Sequence, residues 1–220
     1  MSYDLTGPLD FDALGSVRPG SNILISGPAM AGRSDLAFSM LAGGSREGEG
    51  AIVMTTGDPA DDVLADYRNR VENLDESRVA VVDCRGEGGR DSEHMPDGAY
   101  VHHVSSPGDL TGIGIGITRG IETLTDSGAT GGRFALDSLS TMLTYTDRKT
   151  AFQFCHILSS RFDSAGYVGL FTIDSEAHDE QTVQVIKQAF DGMVEISSDG
   201  GSRQARVLGL DGQPTGWQEF

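Results

Sequence analysis

Asn22-Ile23-Leu24-Ile25-Ser26 followed by Gly27-Pro28-Ala29-Met30-Ala31-Gly32-Arg33-Ser34 is the stretch that decides how this chain is read. The first five residues are a short apolar run suited to a buried strand. The next eight match G-x-x-x-x-G-K-[ST] at every fixed position except the lysine, which is Arg33. Beyond them, Leu36, Ala37, Met40 and Leu41 keep helical spacing, and Gly43-Gly44 is expected to end that helix. Strand, glycine loop and helix in this order form a phosphate cradle. Glycines let backbone N–H groups curl around phosphate oxygens, and the helix points its positive end at them. The candidate nucleotide ligands are Gly27, Pro28, Ala29, Met30, Ala31, Gly32, Arg33, Ser34 and Asp35, with the Ser34 hydroxyl also a candidate Mg²⁺ ligand. The bland alternative is a glycine-rich turn that binds nothing. Arginine is planar and forked where lysine is a compact point charge. Arg33 is therefore expected to keep phosphate affinity while misplacing the charge that hydrolysis needs.

The same alternation continues outward. Ala51–Thr56, Arg78–Asp83, Arg133–Ser138 and Tyr167–Asp174 are apolar runs of strand length. Between them, helical spacing is kept by Val63, Leu64, Tyr67 and Val71, by Leu110, Ile113, Ile117, Ile121 and Leu124, and again from Asp147 to Phe162. Asp58-Pro59 is expected to start a helix, the acid at the N-cap and the proline at the first helical position. The first twenty residues are polar and turn-rich, and residues 85–98 form a long loop. Gly192–Ser197 and Arg203–Leu210 are expected to pair as a hairpin across Asp199-Gly200-Gly201. The class is α/β, a mainly parallel sheet flanked by helices with a C-terminal antiparallel hairpin. One domain is expected over 1–220, with a core at about 7–210 and a polar tail at 211–220.

Composition closes off other classes. A hydrophobic share of 38% plus 30 glycines is ordinary for a globular domain. No apolar run approaches the ~18 residues of a membrane span. The N-terminal stretch lacks the basic and apolar regions of a signal peptide, so a cytoplasmic location is expected. Cys84 and Cys155 are too few and too far apart for a disulfide framework or a thiolate zinc site, and Cys155 is read as core. Adjacent His102 and His103 face opposite sides of a strand and are not read as a metal pair. The net charge is −17, with 33 acids against 16 bases, and only Lys149 and Lys187 are lysines. That balance resembles proteins of salt-in haloarchaea and argues against nucleic acid as a partner. Arg203-Gln204-Ala205-Arg206 is too short and isolated to read as a nucleic-acid contact. Trp217 and Phe220 either dock on a partner or fold back.

Asp137 ends the run Arg133-Phe134-Ala135-Leu136-Asp137, where a carboxylate can orient Mg²⁺ opposite the loop. A cap on the following turn is the alternative. Together with Asp137-Ser138-Leu139-Ser140 and Asp191-Gly192-Met193-Val194-Glu195-Ile196, the loop resembles the RecA-superfamily ATPases of the KaiC, RadA and gas-vesicle-regulator group. The likeness covers about residues 7–210 and is closest to short single-domain haloarchaeal members. It implies a RecA-like P-loop fold, ATP or ADP with Mg²⁺ at Ser34 and Asp137, and assembly as a homo-oligomer. Three positions depart from the active pattern of that group. Arg33 replaces lysine. Gly57 and Asp58 stand where catalytic glutamates are placed, so Asp58 is the catalytic candidate. Residues 207–212 lack the basic residues that reach a neighbour's phosphates. The expected function is a degenerate nucleotide-binding regulatory or signalling protein, with weak or absent ATP hydrolysis and acting through protein partners. An active ATPase of DNA repair or recombination and a pure protein-interaction module are the alternatives.

Overall fold

The computed structural model describes residues 2–7, 9–86, 98–198, 202–210 and 214–220, and the backbone of 93–94. Its elements in chain order begin β1 (Asn22–Gly27), α1 (Arg33–Arg46), β2 (Gly50–Thr55), α2 (Ala60–Arg70) and β3 (Val79–Asp83). β4 (Glu93–His94), β5 (Tyr100–His103), α3 (Leu110–Asp126), β6 (Gly132–Asp137) and α4 (Leu139–Tyr145) follow. The chain continues through α5 (Arg148–Ala165), β7 (Val168–Asp174), α6 (Glu180–Lys187), β8 (Gly192–Ser197), β9 (Gln204–Leu208) and β10 (Gln218–Glu219).

The strands form one sheet in the order β10-β9-β8-β1-β7-β6-β2-β3-β5-β4. From β8 to β5 every neighbouring pair is parallel. The pairs β8–β9, β9–β10 and β4–β5 are antiparallel. The α/β class, the mostly parallel sheet and the terminal hairpin are as the sequence implies, while the expected hairpin turn at 199–201 lies outside the described residues.

Central strands bury both faces, which is why they read as unbroken apolar runs. Ile23 and Ile25 of β1 and Ala51 and Val53 of β2 join α1 and α2 in one core cluster. Leu24, Ile52, Met54, Phe134 and Leu136 point the other way, into a cluster with α3, α4, α5 and α6. Phe134, Phe162, Phe171 and Phe190 pack ring on ring there, with centroids 4.7 to 6.4 Å apart. Cys155 is core, as expected. Among the described residues no helix is long and apolar enough to cross a membrane.

Two expectations fail for tertiary reasons. The N-terminal segment is not merely polar: Tyr3, Leu5, Leu9, Phe11 and Leu14 are buried beneath α1 and the sheet. The Tyr3 hydroxyl donates to the Gly166 carbonyl at 2.5 Å and accepts the Gly132 N–H at 3.1 Å. These apolar residues sit at irregular intervals, so no period announced them. Gly43-Gly44 does not end α1, which runs on to Arg46. Gly44 is where the helix crosses a buried ion pair. Arg133 binds Glu49 through Nε (2.6 Å) and Nη2 (3.1 Å) and donates from Nη1 to the Met40 carbonyl (2.6 Å). A Cβ on Gly44 would collide with Glu49 Oε2 and lie 2.5 Å from Arg133 Nε.

At the C-terminal margin the chain folds back. Gln218 and Glu219 pair with Ala205 and Gln204. Thr215 covers Val207, its N–H donating to the Val207 carbonyl (3.0 Å) and its hydroxyl accepting the Val207 N–H (2.8 Å). Trp217 lies under the Arg206 guanidinium at 4.6 Å, and Phe220 under that of Arg203 at 5.5 Å.

Candidate functional site

Parallel strands deliver all their carboxyl ends to one edge, where α/β sheets place their ligands. Here that edge carries Gly27, Asp174, Asp137, Thr55 and Asp83. Gly27 is in register with Asp174, and Thr55 with both Asp137 and Asp83. β7 lies between the strand that feeds the loop and the strand that ends in Asp137. Two strand spacings separate these ends, about 10 Å.

The loop leaves β1 at Gly27 and turns through Pro28 to Ala31. Met30 has a positive φ of 59° and is 99% exposed, whereas Ala31 is buried. Gly32 adopts φ 84°, ψ 22°, the left-handed region glycine enters without strain, and stands at the N-cap of α1. It offers no side-chain cap, so the N–H groups of Arg33, Ser34 and Asp35 face solvent or a ligand at the positive end of a 14-residue helix.

Arg33 does not reach outward. Its Nη1 donates to the Gly27 carbonyl and lies 3.5 Å from Asp174 Oδ1, with the side chain 15% exposed. It braces the base of the loop. Asp35 is turned to α2, paired with Arg70 at 2.8 Å. The Ser34 hydroxyl makes no hydrogen bond among the described residues. Asp137 Oδ1 accepts from the Thr172 hydroxyl (2.9 Å), and its carbonyl accepts from the Thr56 N–H and hydroxyl, both at 2.9 Å. The peptide bond after it is cis. The cap on α4 is Ser138, whose hydroxyl accepts the Thr141 N–H at 3.3 Å, so Asp137 is not consumed by capping.

Asp58 does not cap α2 as its spacing suggests. It is exposed, and Pro59 rather than Asp58 holds the N-cap position of α2 without a side-chain bond. Only the backbone of Asp58 is held, through the Thr55 hydroxyl at 2.9 and 3.0 Å. The first turn of α2 is served from another strand: Asp83 Oδ2 accepts the Ala60 N–H at 3.2 Å while pairing with Arg85 at 3.1 Å. A carboxylate in the right local spacing was displaced by one better placed in space. Beside Asp58, a Cβ on Gly57 would meet open space.

The sequence reading missed several residues at this edge. Asp83 and Asp174 both end apolar strands as Asp137 does, and that shared pattern was a usable signal. Ser140 and His178 meet at 2.9 Å, with Ser140 also accepting the Asp174 N–H at 2.9 Å. Arg203 approaches the loop itself: a Cβ on Gly32 would collide with its Nη1. The pairing of His102 and His103 in β5 separates them as expected, His103 lying 3.7 Å from Asp83. The long loop at 85–98 lies mostly outside the described residues.

Fold and site together define an α/β protein with a glycine loop, an open helix N-terminus and strand-end aspartates gathered at one sheet edge. The chain belongs to a family of unknown function, DUF7504, whose model matches residues 20–196. A comparison with curated proteins found no match.

Proposed function

We propose that the protein is a degenerate RecA/KaiC-like nucleotide-binding regulator with weak or absent hydrolysis. The observation that carries this is the loop at 27–34: Gly32 in the left-handed region, followed by first-turn N–H groups without a protein cap. Such a cradle takes the phosphates of ATP or ADP. The strand order supports it by bringing the end of β1, which feeds the loop, and the end of β6, which carries Asp137, to the same sheet edge with β7 between them. Ser34 and Asp137 both have acceptor atoms to spare, which fits water-mediated Mg²⁺ ligation. A bound Mg²⁺ would neutralise phosphate charge there.

The catalytic parts are poorly matched to hydrolysis. A general base must reach the attacking water within about 3 Å, directly or through one water. The positions after β2 offer Gly57, with no side chain, and Asp58, an unbonded exposed carboxylate. Arg33 is spent on Gly27 and Asp174, so it does not stand free to stabilise a transferring phosphoryl group. Nucleotide then acts by favouring one arrangement of the chain, and its output passes through protein contacts.

Calorimetric titration with ATP and ADP, in Mg²⁺ and ~3 M KCl, tests this with phosphate release followed in the same sample. Micromolar binding with negligible turnover is the expected result. Rapid turnover overturns it in favour of an active ATPase. No binding at millimolar nucleotide overturns it in favour of a protein-interaction module, a reading the inward turn of Arg33 favours.

A further inference from the structure

Arg203 precedes β9, about 170 residues after the loop, and beyond the segment matched by the family model. Its guanidinium nonetheless rests on Gly32. A Cβ there would strike Nη1 and lie 3.6 Å from Cζ and 3.8 Å from Cδ. Only a glycine at the helix N-cap leaves room for this approach. Arg203 is exposed, and among the described residues its guanidinium makes no ion pair with a carboxylate. It is held from below instead. The Phe220 ring lies 5.5 Å from Cζ, and the Phe220 N–H donates to the Arg203 carbonyl at 3.1 Å. The neighbouring Arg206 is used differently: it pairs with Glu195, with Nε at 2.6 Å, and stacks on Trp217.

The loop thus has two arginines in different states. Arg33 is turned into the protein and bonded to a backbone carbonyl. Arg203 sits at the mouth of the cradle with its charge uncompensated among the described residues. A planar fork with five donors suits phosphate oxygens, and a cation beside a helix N-terminus is a strained pairing until an anion joins it.

We infer that Arg203 is the residue that grips the nucleotide's phosphates, supplied in cis by the terminal hairpin, and that Phe220 is its positioning residue. The inference rests on the nucleotide-binding reading above. The missing loop lysine is replaced from the other end of the chain. It follows that the last few residues, although far from the loop in sequence, set nucleotide affinity.

The test uses the full chain at ~3 M KCl, titrated with ADP, tripolyphosphate and adenosine. Arg203→Ala is expected to weaken ADP and tripolyphosphate binding by about 10- to 100-fold, the range of a charge-assisted hydrogen bond. Adenosine binding stays as in the wild type. Arg203→Lys recovers part of the loss, and Phe220→Ala weakens ADP binding in the same direction with Arg203 intact. Melting temperatures recorded for each variant separate loss of the grip from loss of the fold. If the wild type binds neither ADP nor tripolyphosphate, the nucleotide-binding reading fails and this inference with it. If the wild type binds and Arg203→Ala binds equally, this inference alone fails. Tighter binding by Arg203→Ala also overturns it, because the guanidinium would then be blocking the loop. ADP affinity lost with tripolyphosphate affinity unchanged overturns the assignment to phosphates.

Discussion

Two adjacent glycines in α1 are expected to respond to alanine with opposite signs. Each replacement gains about 1 kcal/mol of helix propensity. At Gly43 the new methyl would lie 3.4 Å from Arg133 Nη1, ordinary contact, so the gain survives. At Gly44 it would strike Glu49 Oε2 and sit 2.5 Å from Arg133 Nε and 3.0 Å from Cδ. These atoms cannot swing aside cheaply. Arg133 is 1% exposed and Glu49 6%, and the guanidinium is also tied to the Met40 carbonyl. Disrupting a buried ion pair costs about 3 kcal/mol at the low end of measured cases. The net for Gly44→Ala is a loss of about 2 kcal/mol, or roughly 4–8 °C in melting temperature for a chain of this size. Gly43→Ala should rise by about 2–4 °C. Circular-dichroism melts at fixed high salt, with reversibility checked, give both numbers. A Gly44→Ala protein that melts at or above the wild type would refute the reasoning, since propensity alone would then govern the site.

Three further outcomes are expected. Asp83→Ala, which strips the cap from α2 and breaks the buried carboxylate's pairing with Arg85, should cost about 3 kcal/mol, whereas Asp58→Ala should stay within about 0.5 kcal/mol, both read from denaturant melts. Acid should unfold the protein partly through its helix caps. The Gly112 N–H holds Asp109 below the usual carboxylate range, and the hydroxyls of Thr150 and Thr182 do the same for Asp147 and Asp179. Since their folded pKa values lie below the unfolded ones, their stabilisation is complete above about pH 4 and lost as pH falls through the folded values. Melting temperature against pH should therefore show a shallower acid limb when all three are changed to asparagine, which caps without titrating. Finally, Arg33→Lys should not restore phosphate release in the hydrolysis assay, because Gly57 still offers no base; a turnover rate well above the wild type's would show that the lysine alone was missing.

Local physics made the central strands and the loop legible. Asn22–Ser26 is apolar because β1 is buried on both faces, and Gly32 is needed where the backbone enters the left-handed region. The caps Asp109 and Asp147 lie within three residues of the N–H groups they accept, so spacing found the starts of α3 and α5. What escaped is what acts across the chain. Asp83 caps a helix that begins 23 residues earlier. Tyr3 ties Gly132 to Gly166. Gly44 reads as a stop until Arg133, from a different strand, is placed against it. Arg203 looks like a stray base in a hairpin until the sheet order brings β8 beside β1. At Asp58 the local signal was present and still lost, since a neighbouring strand supplied a deeper carboxylate.

The returning tail has a consequence for life among many copies of the same chain. An open strand edge is a template for a second molecule, and proteins usually guard it with charge. At molar salt the Debye length shrinks to about 3 Å, so even 17 net negative charges repel only at contact. Thr215, Gln218, Glu219 and Phe220 instead occupy the backbone groups that β9 would present. That safeguard is built of hydrogen bonds and holds at any ionic strength. Clipping the chain after Leu210 would strip those partners from β9 and leave its backbone groups open to a second molecule.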